Sequence, residues 1–331
     1  MILILSNKWD ISADFIVSEL RKRGEDFLRL NTEDLPYSDC TVTFPELSFL
    51  VPNGIKAIDL ASSLKSVLFR RPGKPFDENP DEPLDEAVIR YTREQWHAII
   101  DGILCIPNVL WINHPRVNDI MECKIVQLQR AVDMGFRIPQ TCVTSSKERA
   151  EKFIQSCGGY AVAKSLYSSL IEYPDRDFFI FTTVVESIKD IPSSEIGIAP
   201  MIFQEYLEEK IDYRVTVVGE KVHTVRIESR LEDCHIIDWR AQKDGLKFNP
   251  SELPEDVQKR CIDYVKECGL VFGAIDMVLY RDDFYFLEIN PNGEWGWLQT
   301  GARLPIAEAL TDYLIKGCSQ EFSGDEYGSH F

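Results

Sequence analysis

The chain has 331 residues and a mass of 38.0 kDa, which at roughly 150 residues per domain predicts about two domains, or three small ones. It carries 36 Lys and Arg against 54 Asp and Glu, so the net charge is −18. A surface this acidic repels phosphate backbones and anionic lipid, which excludes nucleic acids and membranes as main partners. The charge does not exclude a nucleotide held in one locally basic cleft.

The N-terminal residues and the cysteines both indicate a cytoplasmic protein. Met1 to Ser6 contain no basic residue and are too short for the apolar region of a signal peptide, and no apolar run is long enough to span a bilayer. The nine cysteines are scattered and form no Cys-x-x-Cys motif. We therefore expect reduced thiols rather than a zinc site or a disulfide framework.

The first segment reads as the start of a parallel sheet. A strand at Ile2–Ser6, a helix at Ile11–Arg23 that stops at Gly24, and a strand at Asp26–Leu30 form a βαβ unit. Further elements are expected at Val67–Phe69, Leu84–Leu104 and Trp111–Ile112. The pattern predicts an α/β domain over residues 1–113.

Three more segments are expected after residue 113. The central domain, 114–198, should contain a helix at Asn118–Met134 and strands at Phe136–Val143 and Gly159–Lys164. The C-terminal domain, 199–318, should begin with a strand at Met201–Leu207 and continue with hairpins, the first turning at Gly219-Glu220. Residues 319–331 lack periodicity and are expected to form a flexible acidic tail.

The strongest chemical signal is a hairpin at Phe272–Asn290. A three-residue loop at 281–283 would place Asp276 directly opposite Glu288 and Asn290 opposite Ala274, with opposed Cβ atoms about 5 Å apart. Adjacent carboxylates repel each other unless a cation lies between them, and two carboxylates with an amide oxygen suit Mg²⁺. The alternative is a solvated polar face, which the apolar neighbours and the continuation Asn290-Pro-Asn-Gly disfavour.

Two lysines lie in apolar surroundings. Lys124 falls within the apolar stripe of the expected helix, and Lys164 ends a buried strand. Lysines of this kind often extend along an apolar surface to reach water, but two beside an acidic site suggest phosphate ligands.

A third signal is weaker. The strand ending in Gln204-Glu205 could offer backbone groups to an adenine, and Asp212 could bond a ribose, but spacing alone favours one more strand with an exposed end.

In their order along the chain, these residues resemble the ATP-grasp superfamily from about residue 113 to 316. The matching positions are Lys124, Pro139-x-Thr141, Lys164, Gln204-Glu205-Tyr206-Leu207, Asp212-x-Arg214, Asp276 and Glu288-x-Asn290. Within the superfamily the chain resembles the graspetide synthetases, microviridin-type maturases that close ester or amide rings on ribosomal peptides. This narrower resemblance rests on Met1–Ser6, Arg29-Leu-Asn-Thr32, Phe69-Arg-Arg-Pro72, Asp238-Trp-Arg240 and Asn290-Pro-Asn-Gly-Glu-Trp-Gly-Trp297.

The resemblance implies an ATP-grasp fold preceded by an N-terminal βαβ domain, and it implies a role for each matching residue. Lys124 and Lys164 would hold the ATP phosphates. Adenine would lie at Gln204, Glu205, Tyr206 and Leu207, with the ribose at Asp212. Mg²⁺ would be held by Asp276, Glu288 and Asn290. Arg214 and Arg240 would stabilise the γ-phosphoryl group as it transfers to a carboxylate.

The implied reaction is ADP-forming. A side-chain carboxylate of a precursor peptide, made of leader and core, would be phosphorylated and then attacked by a Ser, Thr or Lys side chain of the same peptide. Three alternatives stay open: a ligase that adds an amino acid to a protein or small molecule, a small-molecule kinase, and a nucleotide-binding regulator without ligase activity. The complete set of Mg²⁺ ligands, Asp276, Glu288 and Asn290, argues against the regulator. A homodimer is also possible.

Two further expectations concern the central domain. The loop after Lys164, Ser165-Leu-Tyr-Ser-Ser169, lacks the glycines that many ATP-grasp enzymes carry there, so the hydroxyls of Ser165, Ser168 or Ser169 are candidates to close over the phosphates. The leader is expected to dock between about Ile171 and Ile191, where Asp177–Val185 reads as a long apolar strand. That strand is equally well explained as ordinary core.

Overall fold

The computed structural model describes residues 1–53, 56–75, 85–167, 170–173, 176–229, 237–241 and 245–317. Contacts divide the chain into two compact units. The first comprises Met1–Val117, Gly269–Phe272 and the chain from Glu294 onward, and the second comprises Asn118–Cys268 and Gly273–Gly293. The division at residues 113, 198 and 318 stays a prediction. The expected tail, 319–331, lies outside the described residues, as do Ser168 and Ser169.

The elements up to residue 121 follow the expected alternation of strands and helices. They are β1 (Ile2–Ser6), α1 (Ile11–Arg23), β2 (Phe27–Asn31), β3 (Thr41–Thr43), β4 (Ser48–Asn53), β5 (Lys56–Asp59), α2 (Leu60–Ser63), β6 (Ser66–Phe69), α3 (Glu86–Gly102), β7 (Leu110–Ile112) and α4 (Pro115–Met121). Strands β2, β1, β6 and β7, in that order, form a parallel sheet, which confirms the predicted mixed α/β fold class.

Local signals explain the boundaries of α1. The side chain of Asp10 accepts hydrogen bonds from the backbone N–H groups of Ser12 (3.0 Å) and Ala13 (3.2 Å), which caps the N-terminus. Gly24 ends the helix in the left-handed conformation at φ 71°, as predicted.

The remaining elements build the second unit and the C-terminal helices of the first. They are α5 (Lys124–Asp133), β8 (Thr141–Thr144), α6 (Lys147–Ser156), β9 (Ala161–Lys164), β10 (Leu170–Glu172), β11 (Asp177–Phe179), β12 (Thr183–Val185), α7 (Ser193–Ile196), β13 (Met201–Glu205), β14 (Ile211–Val218), β15 (Lys221–Ser229), β16 (Leu246–Ser251), α8 (Glu255–Glu267), β17 (Phe272–Tyr280), β18 (Asp283–Asn290), α9 (Gly296–Gly301) and α10 (Ile306–Lys316). The turn at Gly219-Glu220 joins β14 to β15 as predicted.

Two antiparallel sheets organise the second unit. One has the order β12-β9-β13-β8 and packs on α6, where Ala150 and Ile154 meet Ala163 and Phe203. The other has the order β16-β15-β14-β17-β18 and carries α8 on one face. A separate two-stranded hairpin, β10-β11, belongs to neither sheet.

The single helix predicted over 118–134 is wrong, because the chain forms α4 and α5 with a break at Glu122-Cys123. The side-chain amide of Gln127 donates to the carbonyl of Met121 (2.6 Å) across the break. The break changes the phase of α5, so its buried face is Gln127, Leu128 and Ala131. Ile125 and Val132, which a single continuous helix would place in the apolar stripe, are exposed.

Two predicted strands are shorter than expected. The strand expected at Phe136–Val143 begins only at Thr141; before it, Pro139 has no N–H to donate, and Arg137 forms an isolated bridge to Tyr285. The strand expected at Asp177–Val185 is divided between β11 and β12, which lie in different sheets.

Among the described residues, seven cysteines are present and all are free thiols, as expected. No helix in the described ranges combines the length and the apolar character needed to cross a membrane.

Candidate active site

A cleft lies in the second unit between the two antiparallel sheets. Nine of the twelve predicted site residues line it: Lys164, Gln204, Glu205, Tyr206, Leu207, Asp212, Arg240, Asp276 and Glu288. The other three, Lys124, Arg214 and Asn290, each contact a lining carboxylate. The structure therefore brings the complete predicted set together.

The hairpin of β17 and β18 places the two carboxylates opposite each other, but its turn and its register differ from the prediction. Tyr280 pairs with Asp283 across a two-residue turn, instead of with Phe284 across three. The register then shifts at a bulge, where Asp276 pairs with Glu288 and Met277 with Phe286, leaving Leu287 as the extra residue. The missing turn residue and the extra strand residue compensate each other.

The bulge also exchanges two side chains between the faces of the hairpin. In the regular hairpin predicted from the sequence, Leu287 would lie on the face opposite Glu288, but in the structure it lines the cleft beside Glu288. Phe286 would lie on the same face as Glu288 in that regular hairpin, but it is fully buried against Tyr264 and Phe136, with ring centroids 5.1 Å and 5.5 Å away.

Asp276 is a buried carboxylate with one satisfied oxygen. Its Oδ2 accepts hydrogen bonds from Arg214 Nη1 (2.8 Å) and Asn290 Nδ2 (3.2 Å), while its Oδ1 is buried without a hydrogen-bond partner. Burial raises the pKa of Asp276 and the nearby Glu288 adds to the rise, although Arg214 opposes it. A cation at the free oxygen would remove this penalty.

Glu288 is surrounded by positive charge. Its Oε1 accepts from Arg240 Nη1 (3.2 Å), and its Oε2 lies 3.8 Å from Lys124 Nζ. Burial alone would raise the pKa of Glu288, but Arg240, Lys164 and Lys124 outweigh it and hold the pKa below its usual value. Glu288 is thus ionised at neutral pH.

The two lysines approach the cleft from different elements. Lys124 begins α5 and donates to the carbonyl oxygen of Tyr167 (2.9 Å) in the loop after Lys164. Burial lowers the pKa of Lys164 to about 8, and Lys124 and Arg240 add to this effect against the attraction of Glu288. An anion in the cleft would restore the charge on Lys164.

The strand that carries Gln204 and Glu205 forms the opposite wall. Gln204 is buried and donates from Nε2 to the hydroxyl of Thr141 (2.9 Å), and Tyr206 packs edge-on against Tyr160. Further along, both oxygens of Asp212 accept from Lys210 Nζ at 2.6 Å. Burial nevertheless raises the pKa of Asp212 to about 6, which is above its ordinary range.

Gly293 allows a close approach behind the carboxylates. A Cβ atom at this position would lie 2.7 Å from Arg214 Nη2 and 2.6 Å from the Cβ of Ala274. Any larger residue would push Arg214 away from Asp276.

A model of the RimK-like ATP-grasp domain matches residues 119–314, which is more than half of the chain. The chain belongs to this family. It is an ATP-grasp ligase, and the predicted fold and enzyme class are confirmed.

Solved structures extend the similarity over nearly the whole length. A RiPP-associated ATP-grasp ligase from Chryseobacterium gregarium, solved with ADP and a leader and core peptide, is 28% identical with a TM-score of 0.84, covering 95% of this chain and 96% of that one. The macrocyclase MdnC from Microcystis aeruginosa MRC, bound to the precursor peptide MdnA, is 25% identical with a TM-score of 0.82, covering 96% and 99%.

A third structure, the ATP-grasp ligase PsnB with a minimal precursor, Mg and ADP, shares the fold at 19% identity and a TM-score of 0.73, covering 96% of this chain and 97% of that one. A search of curated protein sequences found no significant match. These likenesses confirm the predicted resemblance to the graspetide synthetases.

The residues of this ATP-grasp site fit a hard divalent cation. The described residues contain no group of three or more His, Cys, Asp and Glu side chains arranged to hold a metal. Asp276, Glu288 and Asn290 supply two carboxylates and an amide, and the buried Oδ1 of Asp276 has a free lone pair. This donor set suits Mg²⁺, which takes few protein ligands and completes its shell with phosphates and water.

Sequence reasoning assigned no role to three residues that hold the site in place. Gln127 donates from Nε2 to the carbonyl of Ile289 (2.9 Å) and accepts from its N–H (3.1 Å), between the two ligand positions Glu288 and Asn290. Asp238 binds Arg240, and Lys210 binds Asp212. The sequence pattern gives no signal for Gln127, because its place on the buried face of α5 follows from the break between α4 and α5.

Proposed function

We propose that this ATP-grasp ligase is a peptide macrocyclase that closes ester or amide rings on a ribosomal precursor peptide in the cytoplasm. The observation that carries the proposal is the 28% identity, over 95% of the chain, to a ligase solved with ADP, leader and core peptide. The similarity includes the N-terminal region that precedes the RimK-like domain.

The positions of the cationic side chains support phosphoryl transfer to a carboxylate. Arg214 and Arg240 each hold one of the opposed carboxylates, and Lys124 and Lys164 lie beside Glu288. Four cations at one end of the cleft stabilise the charge of a triphosphate and of the transferring γ-phosphoryl group.

The remaining predicted residues position the nucleotide. Gln204, Glu205, Tyr206 and Leu207 hold the adenine, and Asp212 holds the ribose after exchanging part of its contact with Lys210. Asp276, Glu288 and Asn290 hold Mg²⁺, which supplies positive charge against the phosphates when bound.

The proposed chemistry has two steps. A carboxylate oxygen of a core Asp or Glu attacks the γ-phosphorus of ATP, the bond to the β-phosphate oxygen breaks, and ADP leaves. A hydroxyl or amine of the same peptide then attacks the acyl carbon, inorganic phosphate leaves, and the ring closes. Each ring removes one water mass from the peptide.

An exposed apolar hairpin supports a docking site for the leader. This apolar hairpin comprises β10, β11 and residues 180–181, and its large side chains face solvent: Leu170, Ile171, Tyr173, Phe178, Phe179, Ile180 and Phe181. The alternative that Asp177–Val185 is ordinary core is therefore wrong for Phe178, Phe179, Ile180 and Phe181. Exposed apolar patches of this kind are typical of peptide-binding surfaces, and the charge of −18 favours a leader that carries Lys or Arg.

The proposal is tested by mass spectrometry of a precursor peptide incubated with the enzyme and ATP. Candidate precursors are short reading frames beside the gene, rich in Thr, Ser or Lys and in Asp or Glu. We expect a loss of one water per ring, and no loss from a control core whose Asp and Glu are replaced by Asn and Gln. ATP consumption with no loss of water from any candidate would contradict the proposal.

The docking site needs a separate test with core peptide alone and with leader added in trans. We expect added leader to accelerate cyclisation of the core, and Phe178→Ser to abolish that acceleration. Equal rates for core alone and for full precursor would exclude a separate docking site.

The match to a RimK-like domain keeps one alternative open, a carboxylate–amine ligase that adds an amino acid to a protein or small molecule. It would use the same nucleotide cleft. A gain of one amino acid residue mass, instead of a loss of water, would favour this alternative.

A further inference from the structure

Asp238 is a buried carboxylate in the cleft that has no part in the proposed chemistry. It lies at the start of the short turn Trp239–Ala241 and is 8% exposed. A buried carboxylate is costly unless several donors bind it, so its partners show what it stabilises.

Those partners are mainly the donors of a single residue, Arg240. Asp238 Oδ1 accepts from Nε (2.9 Å) and from the backbone N–H (3.1 Å) of Arg240, and Oδ2 accepts from Nη2 (2.9 Å). The Nε and Nη2 atoms of the guanidinium therefore donate two parallel hydrogen bonds to the carboxylate, which is the strongest geometry available to an Arg–Asp pair. Its remaining nitrogen, Nη1, is directed to Glu288 (3.2 Å).

The same carboxylate is also bonded to the backbone just before β12. Its Oδ2 accepts from the backbone N–H of Thr182 (3.2 Å). Thr182 lies between the apolar hairpin and β12, next to Phe181. Arg240 is thus connected, through one side chain, to the segment on which the leader is proposed to dock.

We propose that Asp238 is a positioning residue that orients Arg240 toward the transferring phosphoryl group and fixes that orientation to the backbone at Thr182. The inference rests on the proposed function, because Arg240 is taken to act on the γ-phosphoryl group. In this role Asp238 acts through Arg240 rather than directly on the nucleotide or the peptide. Displacement of a catalytic group by about 1 Å lowers the rate by up to about 100-fold. Loss of the hydrogen bonds between Asp238 and Arg240 therefore lowers turnover more than nucleotide affinity.

The first test uses Asp238→Asn, which keeps the size of the side chain and removes its charge. We measure binding of ADP alone and of ADP with fluoroaluminate, a mimic of the transferring phosphoryl group, by calorimetry. We expect unchanged ADP affinity and affinity for the mimic about 10- to 100-fold weaker. Asp256→Asn, which removes an exposed carboxylate bonded to Arg260 on α8, serves as the control with both affinities unchanged.

Steady-state kinetics give a second readout. Asp238→Asn should lower kcat while leaving the KM for ATP unchanged. A variant that merely loosened the fold would alter both, and its thermal unfolding would show it. Equal binding of the mimic by wild type and Asp238→Asn would overturn the proposal.

The contact with Thr182 is tested by a pair of substitutions. Thr182→Pro removes the backbone N–H, whereas Thr182→Ala keeps it. We expect the Pro variant to bind the mimic more weakly than the Ala variant, and to add nothing further in the Asp238→Asn background. Additive effects of the two changes would mean that Thr182 acts independently of Asp238, and would refute the connection.

The binding readout separates this inference from the proposed function. If wild type closes no ring on any peptide, the macrocyclase proposal fails, while the affinity for the mimic still reports on Asp238. If wild type closes rings and Asp238→Asn binds the mimic equally well, only the present inference fails.

Discussion

Lys164 makes the affinity for ATP depend on pH in a range where few other side chains titrate. Burial lowers the pKa of its ammonium group to about 8. Its charged form is therefore lost as the pH rises through about 8, well before an ordinary lysine would lose its proton. If Lys164 contacts the phosphates as proposed, bound ATP returns the pKa toward its ordinary value, and binding above this pH takes up a proton.

The magnitude follows from the two pKa values. The difference between the ordinary pKa of 10.5 and the lowered pKa of about 8 corresponds to about 3 kcal/mol. This is the most that the charge on Lys164 can contribute to the pH dependence of the ATP binding free energy. At pH 9 only about one tenth of the free enzyme carries the charge, so the dissociation constant for ATP should be about tenfold higher than at pH 7. Asp212, with a pKa of about 6, is largely ionised over this interval and adds little to the slope.

Calorimetry with ATP between pH 7 and 9.5 tests this prediction, using buffers of different ionisation enthalpy to count protons. Lys164→Arg is the matched control, because a guanidinium stays charged throughout and should give pH-independent affinity. Lys164→Met should bind weakly at every pH. A wild-type affinity that is flat between pH 7 and 9 would refute the assignment of Lys164 to the phosphates.

Three other predictions concern the carboxylates, the nucleotide product and the buried amide. Glu288→Gln should abolish ATP turnover while leaving the fold intact, because it removes a carboxylate that is proposed to hold Mg²⁺; normal ATP consumption would contradict its role. Chromatography of the nucleotide product should show ADP and phosphate, since the γ-phosphoryl group is transferred, and AMP with pyrophosphate would indicate an adenylate mechanism. Gln127→Leu should lower the free energy of unfolding by about 2–4 kcal/mol, because it leaves backbone groups of Ile289 buried without partners. The control Gln129→Leu, on the exposed side of α5, should change it by less than about 0.5 kcal/mol in denaturant titrations, and equal losses would contradict the reasoning.

Elements with strong local signals could be predicted from the sequence. β1 is a run of five buried residues, α1 ends at a glycine, and the turn at Gly219-Glu220 joins two strands rich in β-branched residues. In each case the residues that decide the structure lie within the element itself, so neighbours elsewhere in the chain do not alter the outcome.

The failures occurred where distant residues decide the local structure. The break between α4 and α5 is held by Gln127, whose amide also bonds Ile289 in a strand 162 residues away. No periodicity within the helix carries that information. Likewise the sequence singles out Asp238 only as part of the motif Asp238-Trp-Arg240, and its contacts with Arg240 and Thr182 become visible only in the structure.

The opposed carboxylates were predicted correctly although the path between them was not. A three-residue turn without a bulge and a two-residue turn with one bulge bring the same two positions together. Sequence spacing alone does not distinguish these hairpins, because both have the same number of residues between Asp276 and Glu288.

The extra residue in β18 has a consequence for the way this site changes during evolution. Without Leu287, Met277 would still pair with Phe286 and Asp276 with Glu288, and regular alternation would direct both carboxylates to the cleft. What would be lost is the local bend and one apolar side chain beside the nucleotide. We therefore expect that a hairpin with one residue fewer between the two acids would still hold them opposite each other. A search pattern that demands a fixed interval between them will overlook enzymes whose hairpin is one residue shorter.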